Sequence, residues 1–284
     1  MFNTNTTFQS HYAHNVRTLS LEEIQRKAPS VFAVQPAEKM SDRYTLIPTS
    51  EVLKGLMGEG FMPVSASQQN VRIPGRENFA KHLIRLRHRD TLDQQAIVGD
   101  TVPELVILNS HDGTSSYQIH AGMFRFVCAN GLVVADSLLQ RHSVRHTGDI
   151  VDNVIEAAYE IVREVPALMD KVQQYQGITL DQGEAEALAK AALTLRYDPE
   201  KGEHVPVQPK QLLVPRRRGD TGEDLWSRFN VVQERMLRGG VPGISKKGGR
   251  TRTREVKSID QNVKLNKALW TLADEMAKLK GATC

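Results

Sequence analysis

The hydrophobic pattern of this chain changes its period once, and that change limits what the chain can fold into. Between residues 79 and 135, apolar residues form short alternating runs separated by turn signals such as Asp112-Gly113, a pattern typical of β-strands. From residue 150 onward they recur at helical spacing, beginning with Val151, Val154 and Ile155. Strands followed by helices indicate an α+β protein. We expect an antiparallel β-sheet in the N-terminal half, packed with helices, followed by a mainly helical C-terminal part.

This change divides the 284 residues into three regions. Residues 1–18 are polar and are predicted to be a flexible N-terminus. Residues 19–149 are predicted to form a β-rich α+β core, and residues 150–284 a helical part with a basic loop at 241–257. Strands are predicted at 43–47, 61–72, 79–89, 102–109, 117–128 and 132–135, with Asn130-Gly131 as a hairpin turn.

Capping residues predict where several helices begin. Ser20 is followed three residues later by Glu23, which is the pattern of a capping box, and Thr179 stands in the same relation to Gln182. Further helices are predicted to start at Thr49 or Ser50, at Thr221 and at Ser258. The helix that begins near residue 150 contains Pro166, which is expected to kink it or split it in two.

Composition narrows the protein classes. Cys128 and Cys284 are the only cysteines, so we expect no disulfide framework and a reducing, cytoplasmic location. The N-terminus lacks the apolar core of a signal peptide, and no run approaches the roughly 18 apolar residues of a membrane span. No nucleotide-binding glycine motif or paired CxxC is present, so no cofactor is expected.

The net charge is only +4, but the cations are concentrated locally. The segment 241–257 carries six of them against the single acid Glu255, separated by small residues, and such a segment cannot bury enough apolar surface to fold alone. A dense positive charge suits a polyanion such as a phosphate backbone, although a solvated charged loop is the simpler alternative. These cations are Lys246, Lys247, Arg250, Arg252, Arg254 and Lys257.

Two other basic clusters support a nucleic-acid ligand. Alternation along residues 79–89 places Lys81, Arg85, Arg87 and Arg89 on one strand face, where their mutual repulsion requires an anion or an acidic neighbour. The second cluster lies in a proline-rich connector and comprises Arg216, Arg217 and Arg218. Tyr117, Phe124 and Phe126 are candidate platforms for stacked bases, although aromatic residues of this kind more often lie in a core.

Residues with possible catalytic or metal-binding chemistry give weaker signals. His111 and Asp112 are adjacent and, together with Glu104, suggest a metal-dependent nuclease, but Asp-Gly is first of all a turn dipeptide. His142 and His146 have metal-ligand spacing on a helix, yet two neighbouring arginines favour a basic surface patch instead. Cys128 lies in an apolar run and is predicted to be a buried structural thiol.

The stretch PELVILNSHDGTSSYQIHAGMFRFVCANGLVV resembles the signature of a family of phage- and plasmid-like proteins known as domain of unknown function 932. The stretches LWSRFNVVQERMLRGG and TREVKSIDQNVKLNKALWTLADEM resemble the same family, so the similarity covers about residues 30 to 280. The resemblance implies a mobile-element context in the bacterial cytoplasm, with a connection to DNA metabolism. It carries no established catalytic residues.

Three functional hypotheses follow from the sequence. The first is a DNA-binding accessory protein that binds or anneals single strands in recombination without sequence preference, and that forms a homo-oligomeric ring or filament through the apolar stripes of its late helices. The second is the metal-dependent nuclease. The third is a protein-binding module that acts on a host defence, with the basic loop docked on an acidic protein surface.

Overall fold

The computed structural model describes residues 17–38, 40, 44, 46–71, 74–92, 101–125, 130–133, 142–143, 150–217 and 220–282. Within these ranges it contains eight α-helices and three short 3-10 helices. The α-helices are α1 Leu21–Lys27, α2 Thr49–Gly58, α3 Arg89–Leu92, α4 Ile150–Gln176, α5 Gln182–Thr194, α6 Pro209–Leu212, α7 Leu225–Arg238 and α8 Ile259–Leu279. The 3-10 helices are Pro29–Phe32, Glu77–Phe79 and Pro199–Lys201. None of the described helices is both long enough and apolar enough to span a membrane.

The strands form one main sheet and one separate hairpin. The main sheet has the order β1-β2-β3-β4-β5, with β6 also paired to β4, and each of these pairs is antiparallel. Its strands are β1 Phe61–Gln68, β2 His82–His88, β3 Thr101–Asn109, β4 Gln118–Arg125, β5 Asn130–Val133 and β6 His142–Ser143. The hairpin consists of β7 Pro242–Ile244 and β8 Arg250–Arg252. The predicted α+β class, with helices following an antiparallel sheet, is therefore confirmed.

Both faces of the main sheet are buried where β2 and β3 meet. On one face, Ile84 pairs with Ile107, and both residues belong to the large core that also includes α2, α4 and α7. On the other face, Leu83 pairs with Leu108, and these residues pack with Val106 against Ile259 and Val263 of α8. A strand presents alternate residues to opposite faces, and both faces are covered here. Every β2 side chain from His82 to Arg87 is therefore buried.

The helical part closes around aromatic side chains from three helices. Trp270 of α8 lies between Tyr175 of α4 and the Trp226 and Phe229 rings of α7, with ring centroids 5.6 to 6.3 Å apart. The predicted apolar stripe of α8 packs into this same core, where Leu269 is almost completely buried. Leu265 and Met276 of the stripe are buried as well, whereas Leu279 at its end is exposed.

Several predicted helix starts are confirmed, and two are displaced. The helix expected to start at Thr221 begins at Leu225, with Asp224 as its N-cap. Ser20 and Glu23 form the expected capping box, α2 begins at Thr49, and Ser258 caps α8. The capping box expected at Thr179 lies two residues later, at Asp181 and Glu184. The reason is that the backbone of Thr179 is paired with Asp224 in an isolated β-bridge, which keeps it outside the helix.

Two further local predictions need correction. Asn130-Gly131 lies within β5, where it pairs with Arg125 and Phe124, so it is not the hairpin turn. Pro166 does not split its helix, since α4 is continuous from Ile150 to Gln176. The predicted flexible N-terminus lies almost entirely outside the described residues, as do two positions of the strand expected at 43–47.

Candidate nucleic-acid interface

The basic segment expected as a loop forms a β-hairpin. Gly243 of β7 pairs with Thr251 of β8, and Ser245 donates its backbone N–H to the Gly249 carbonyl, 2.8 Å away, to close the turn. The turn contains Lys246 and Lys247, and Gly248 adopts a φ of 83° that suits glycine. The segment has little apolar surface of its own, so its order depends on what surrounds it.

Backbone hydrogen bonds attach the hairpin to the rest of the fold at both ends. Along β7, Ile244 donates to the Pro206 carbonyl at 2.8 Å, and the Gln211 side chain donates to the Pro242 carbonyl at 2.8 Å. At the base, Gly240 donates to the Thr253 carbonyl at 2.7 Å. The Arg196 guanidinium also binds the carbonyls of Met236 and Arg254, which joins the end of α7 to the strand leaving the hairpin.

All six predicted cations of this segment are exposed, and the structure brings them together on and beside the hairpin. Among the residues that the structure describes, no carboxylate lies within 4.0 Å of any of them, in contrast to most other arginines discussed below. Arg252 alone has a hydrogen bond from its guanidinium, which donates to the Gly240 carbonyl at 3.0 Å. We call this set the hairpin cations: Lys246, Lys247, Arg250, Arg252, Arg254 and Lys257.

An open groove of about 650 Å³ runs beside the hairpin. Arg250 and Arg252 line one side, and Lys210 with Gln208 and Gln211 lines the other. The remaining lining residues are Pro206, Pro242, Gly243, Ile244 and Thr251. None of the described residues that line this groove is acidic, so it offers amide and hydroxyl groups within a positive electrostatic potential.

The predicted basic face of β2 is not a solvated surface. Arg85 and Arg87 both pair with Glu104 of β3, at 2.9 and 2.8 Å, and all three side chains are at least nine-tenths buried. Lys81 is likewise buried and pairs with Asp260 of α8 at 2.6 Å. The acidic groups that offset the repulsion among the β2 cations therefore come from the adjacent strand and from the covering helix. Lys81, Arg85 and Arg87 take part in folding contacts.

The connector arginines are also engaged. Arg217 makes a two-pronged contact with the buried carboxylate of Glu234, at 2.9 and 3.0 Å, and Arg216 donates to the Gly239 carbonyl. Arg218 lies outside the described residues. Arg89 is exposed, at the first position of α3 rather than on β2. Of the predicted binding residues, the hairpin cations form the largest exposed group.

Comparison with known proteins identifies the family to which the chain belongs. The chain matches the family described as domain of unknown function, DUF932, over residues 36–270. This chain belongs to the DUF932 family. Two proteins of Escherichia coli K12 are similar to it, UPF0380 protein YafZ at 45% identity and UPF0380 protein YfjQ at 46% identity, each over 260 residues and 92% of both chains. No solved structure matches it.

The SHDG turn of this DUF932 protein is ordered by its own side chains. Asp112 accepts hydrogen bonds from the backbone N–H and the hydroxyl of Thr114, at 3.1 and 2.6 Å. Although burial acts to raise it, these hydrogen bonds hold the pKa of Asp112 below its usual value. Ser110 accepts from the Ser115 N–H at 2.9 Å. The turn signal in the sequence is therefore confirmed, and Asp112 acts as the internal cap of that turn.

His111 belongs to a buried polar cluster behind this turn. Its ring lies 5.3 Å from the ring of His82, and the Thr49 hydroxyl is 2.9 Å from His82 Nε2 and 3.5 Å from His111 Nε2. Asn109 donates to the same hydroxyl at 3.0 Å, and Ser30 contacts His82 Nδ1 at 2.9 Å. Burial, with a smaller contribution from His111, lowers the pKa of His82 to about 3, so this imidazole is neutral at pH 7.

The residues named for a nuclease are held in different environments. Glu104 is occupied by two arginines in the middle of the sheet, whereas His111 is fully buried in the cluster beside Thr49. Within the part of the chain that the structure describes, no group of three or more His, Cys, Asp or Glu residues could hold a metal ion. The geometry thus supplies no observation that favours the nuclease hypothesis.

The candidate stacking residues contribute no exposed platform among the described positions. Tyr117 is fully buried in the core, as its residue type favours. The Phe124 ring is covered by the Arg87 guanidinium, 4.3 Å from the ring centroid. Phe126, Cys128 and His146 lie outside the described residues, and of His142 only its place in β6 is known.

Proposed function

We propose that this DUF932 protein binds nucleic acid through the hairpin cations, and that its ligand is single-stranded DNA bound without sequence preference. One observation carries the proposal: six exposed cations, with no carboxylate partner among the described residues, stand on a hairpin that the fold holds in place beside a positively charged groove. Elsewhere in the described chain, the predicted arginines of β2 and the connector are paired with buried acids.

The dimensions of the groove favour a single strand. A groove of about 650 Å³ is of the size that holds a small ligand such as one nucleotide unit. Contacts between cations and phosphates carry no sequence information, so the binding is sequence-tolerant. None of the described lining residues is aromatic. We therefore expect most of the affinity to come from phosphate contacts rather than from base stacking.

We propose further that the protein acts in strand annealing during recombination, in the cytoplasm, as several copies on one strand. Charge neutralisation by the hairpin cations would reduce the repulsion between two approaching strands. Because most of the α8 stripe is buried within each copy while Leu279 at its end is exposed, contacts between copies would use that end or other surfaces. Contacts of this kind between copies would be compatible with a ring or with a filament.

The test is fluorescence anisotropy with a labelled single-stranded oligonucleotide over a salt series. We expect a steep loss of affinity with salt, about 0.7 in the logarithmic slope for each phosphate neutralised. The variant Lys246→Gln/Lys247→Gln/Arg250→Gln/Arg252→Gln should bind at least tenfold more weakly at low salt and reduce the slope by about two to three.

A matched control removes four positive charges from other exposed positions. The variant Arg26→Gln/Lys27→Gln/Lys54→Gln/Lys190→Gln changes side chains that are exposed on α1, α2 and α5. It has the same net charge as the hairpin variant, so it should retain most of the affinity and slope. Equal losses in both variants, or no salt-dependent binding by the unaltered protein, would contradict the proposed function.

A further inference from the structure

A second cleft, of about 390 Å³, lies between the main sheet and the first turn of α8. It shares no lining residue with the groove beside the hairpin. Two strands, the end of α7 and the segment that follows the hairpin form its walls. The lining residues are Ser65, Ser67, Leu83, Arg85, Leu237, Arg238, Glu255, Val256, Lys257, Ser258, Ile259 and Asn262.

The lining combines two kinds of surface. Leu83, Leu237 and Ile259 are each more than nine-tenths buried, so they present a small apolar floor at the base of the cleft. Ser65 and Ser67 add two hydroxyl groups from β1, on the sheet face that also carries Leu83 and Arg85. A cavity with an apolar floor and a few fixed polar groups is the usual form of a small-molecule site.

The polar part of the lining favours an anion. Among the lining residues, Arg85, Arg238 and Lys257 stand against the carboxylate of Glu255, and behind the lining Glu104 is shared between Arg85 and Arg87. Glu104 holds the Arg85 guanidinium in place at 2.9 Å, and this orientation is fixed before any ligand arrives. Arg238 lies 3.9 Å from the Glu234 carboxylate, which also accepts two hydrogen bonds from Arg217, and Lys257 is exposed with no carboxylate partner among the described residues. Guanidinium groups bind phosphate through two parallel hydrogen bonds.

We propose that this cleft binds a nucleoside 5′-monophosphate. The phosphate contacts Lys257, Arg238 and Arg85, and the base lies on the apolar floor. The volume of about 390 Å³ accommodates one such unit and leaves no room for a second.

A nucleoside 5′-monophosphate group can come from two sources: a free nucleotide, or the 5′-phosphorylated end of a DNA strand. The second source rests on the proposed function, and the chain connects the two sites directly, because the cleft residues Glu255–Ile259 begin three residues after β8 ends. A DNA strand bound along the hairpin cations would then place its 5′ end in the cleft.

The first experiment measures binding of thymidine 5′-monophosphate and of thymidine by isothermal titration calorimetry. We expect the monophosphate to bind at least tenfold more tightly, because the contacts to the charged group are lost in thymidine. Lys257→Gln should weaken the monophosphate by about tenfold, and Ser67→Tyr, which places a large side chain in the cleft, should abolish binding. Lys190→Gln, on the exposed face of α5 and outside both proposed sites, is the matched control and should have no effect.

The second experiment compares oligonucleotides with a 5′-phosphate and a 5′-hydroxyl. A preference for the 5′-phosphate that Lys257→Gln removes supports the strand end as the source, whereas monophosphate binding without such a preference supports the free nucleotide. Monophosphate binding by a protein that binds no oligonucleotide would overturn the proposed function and leave the cleft proposal standing. Equal binding of thymidine and its monophosphate, or no binding of either together with no 5′-phosphate preference, would overturn the cleft proposal.

Discussion

The arginines of this chain have different roles according to their burial. Arg85 and Arg87 share one buried carboxylate, Glu104, which offsets part of their positive charge inside the fold. Arg250 and Arg252 have the same side chain chemistry but are exposed on the hairpin with no such partner among the described residues. The residue type alone therefore does not reveal whether an arginine stabilises the fold or contacts a ligand.

Replacing Glu104 with Gln should destabilise the protein strongly. The change leaves two buried guanidinium groups without their counter-charge, and breaking a buried pair of this kind costs about 3 kcal/mol or more in the free energy of unfolding. Urea unfolding at neutral pH measures the difference. Glu275→Gln is the control, because its pair with Lys278 is exposed and should be worth less than about 1 kcal/mol. Similar losses for the two variants would contradict this role of Glu104.

At the scale of elements, the hairpin is the part that the sequence describes least well. Its small residues and turn signals predict a loop, since no apolar alternation marks β7 or β8. The contacts that order it come from residues 204–211 and from the Arg196 side chain, which are distant in sequence. Gly243 allows this packing, because a Cβ atom there would lie 2.2 Å from the Pro206 carbonyl oxygen.

The variant Gly243→Ala should therefore displace the hairpin. A backbone oxygen cannot move aside as a flexible side chain can, so the contact with Pro206 must open. We expect affinity for single-stranded DNA to fall by about tenfold through loss of pre-organisation. Anisotropy at low salt measures this effect. Gly249→Ala is the matched control in the same hairpin, where the new Cβ lies at an ordinary 3.5 Å from Ser245 Oγ, and an equal loss there would refute the explanation.

Prediction from sequence succeeds where the determining contact is local. The capping box of α1 and the cap of α8 each involve residues three apart, and both are confirmed. The role of Arg85 could not be predicted in this way, because its partner Glu104 lies 19 residues away on a neighbouring strand. The cleft beside α8 was likewise missed, since its walls come from four separate segments and no motif connects them.

At the scale of the whole molecule, the sheet and the helical part share a hydrophobic core. The large cluster includes Ile84 and Ile107 of the sheet as well as Trp226 and Trp270 of the late helices. Helix α8 also covers the second face of the sheet through Ile259. The boundary predicted near residue 149 separates two patterns of sequence, while the packing joins the elements on both sides of it.

We therefore expect the described core to unfold in one cooperative transition. Both tryptophans lie in the helical part, so their fluorescence reports on α7 and α8, whereas far-ultraviolet circular dichroism reports on the secondary structure of the whole chain. The two signals should give the same urea midpoint. Two separated midpoints would show that the sheet and the helices unfold independently. Trp270→Ala should shift both signals together, with a loss of about 3 to 5 kcal/mol.

The attachment of the hairpin by its main chain has a consequence for how the protein can diversify. The anchoring hydrogen bond at Ile244 uses a backbone N–H, which every residue other than proline supplies alike. Side chains on β8 and in the turn can therefore be exchanged during evolution while the scaffold beneath them stays the same. Relatives with this backbone arrangement are free to acquire ligands of different charge at this one position.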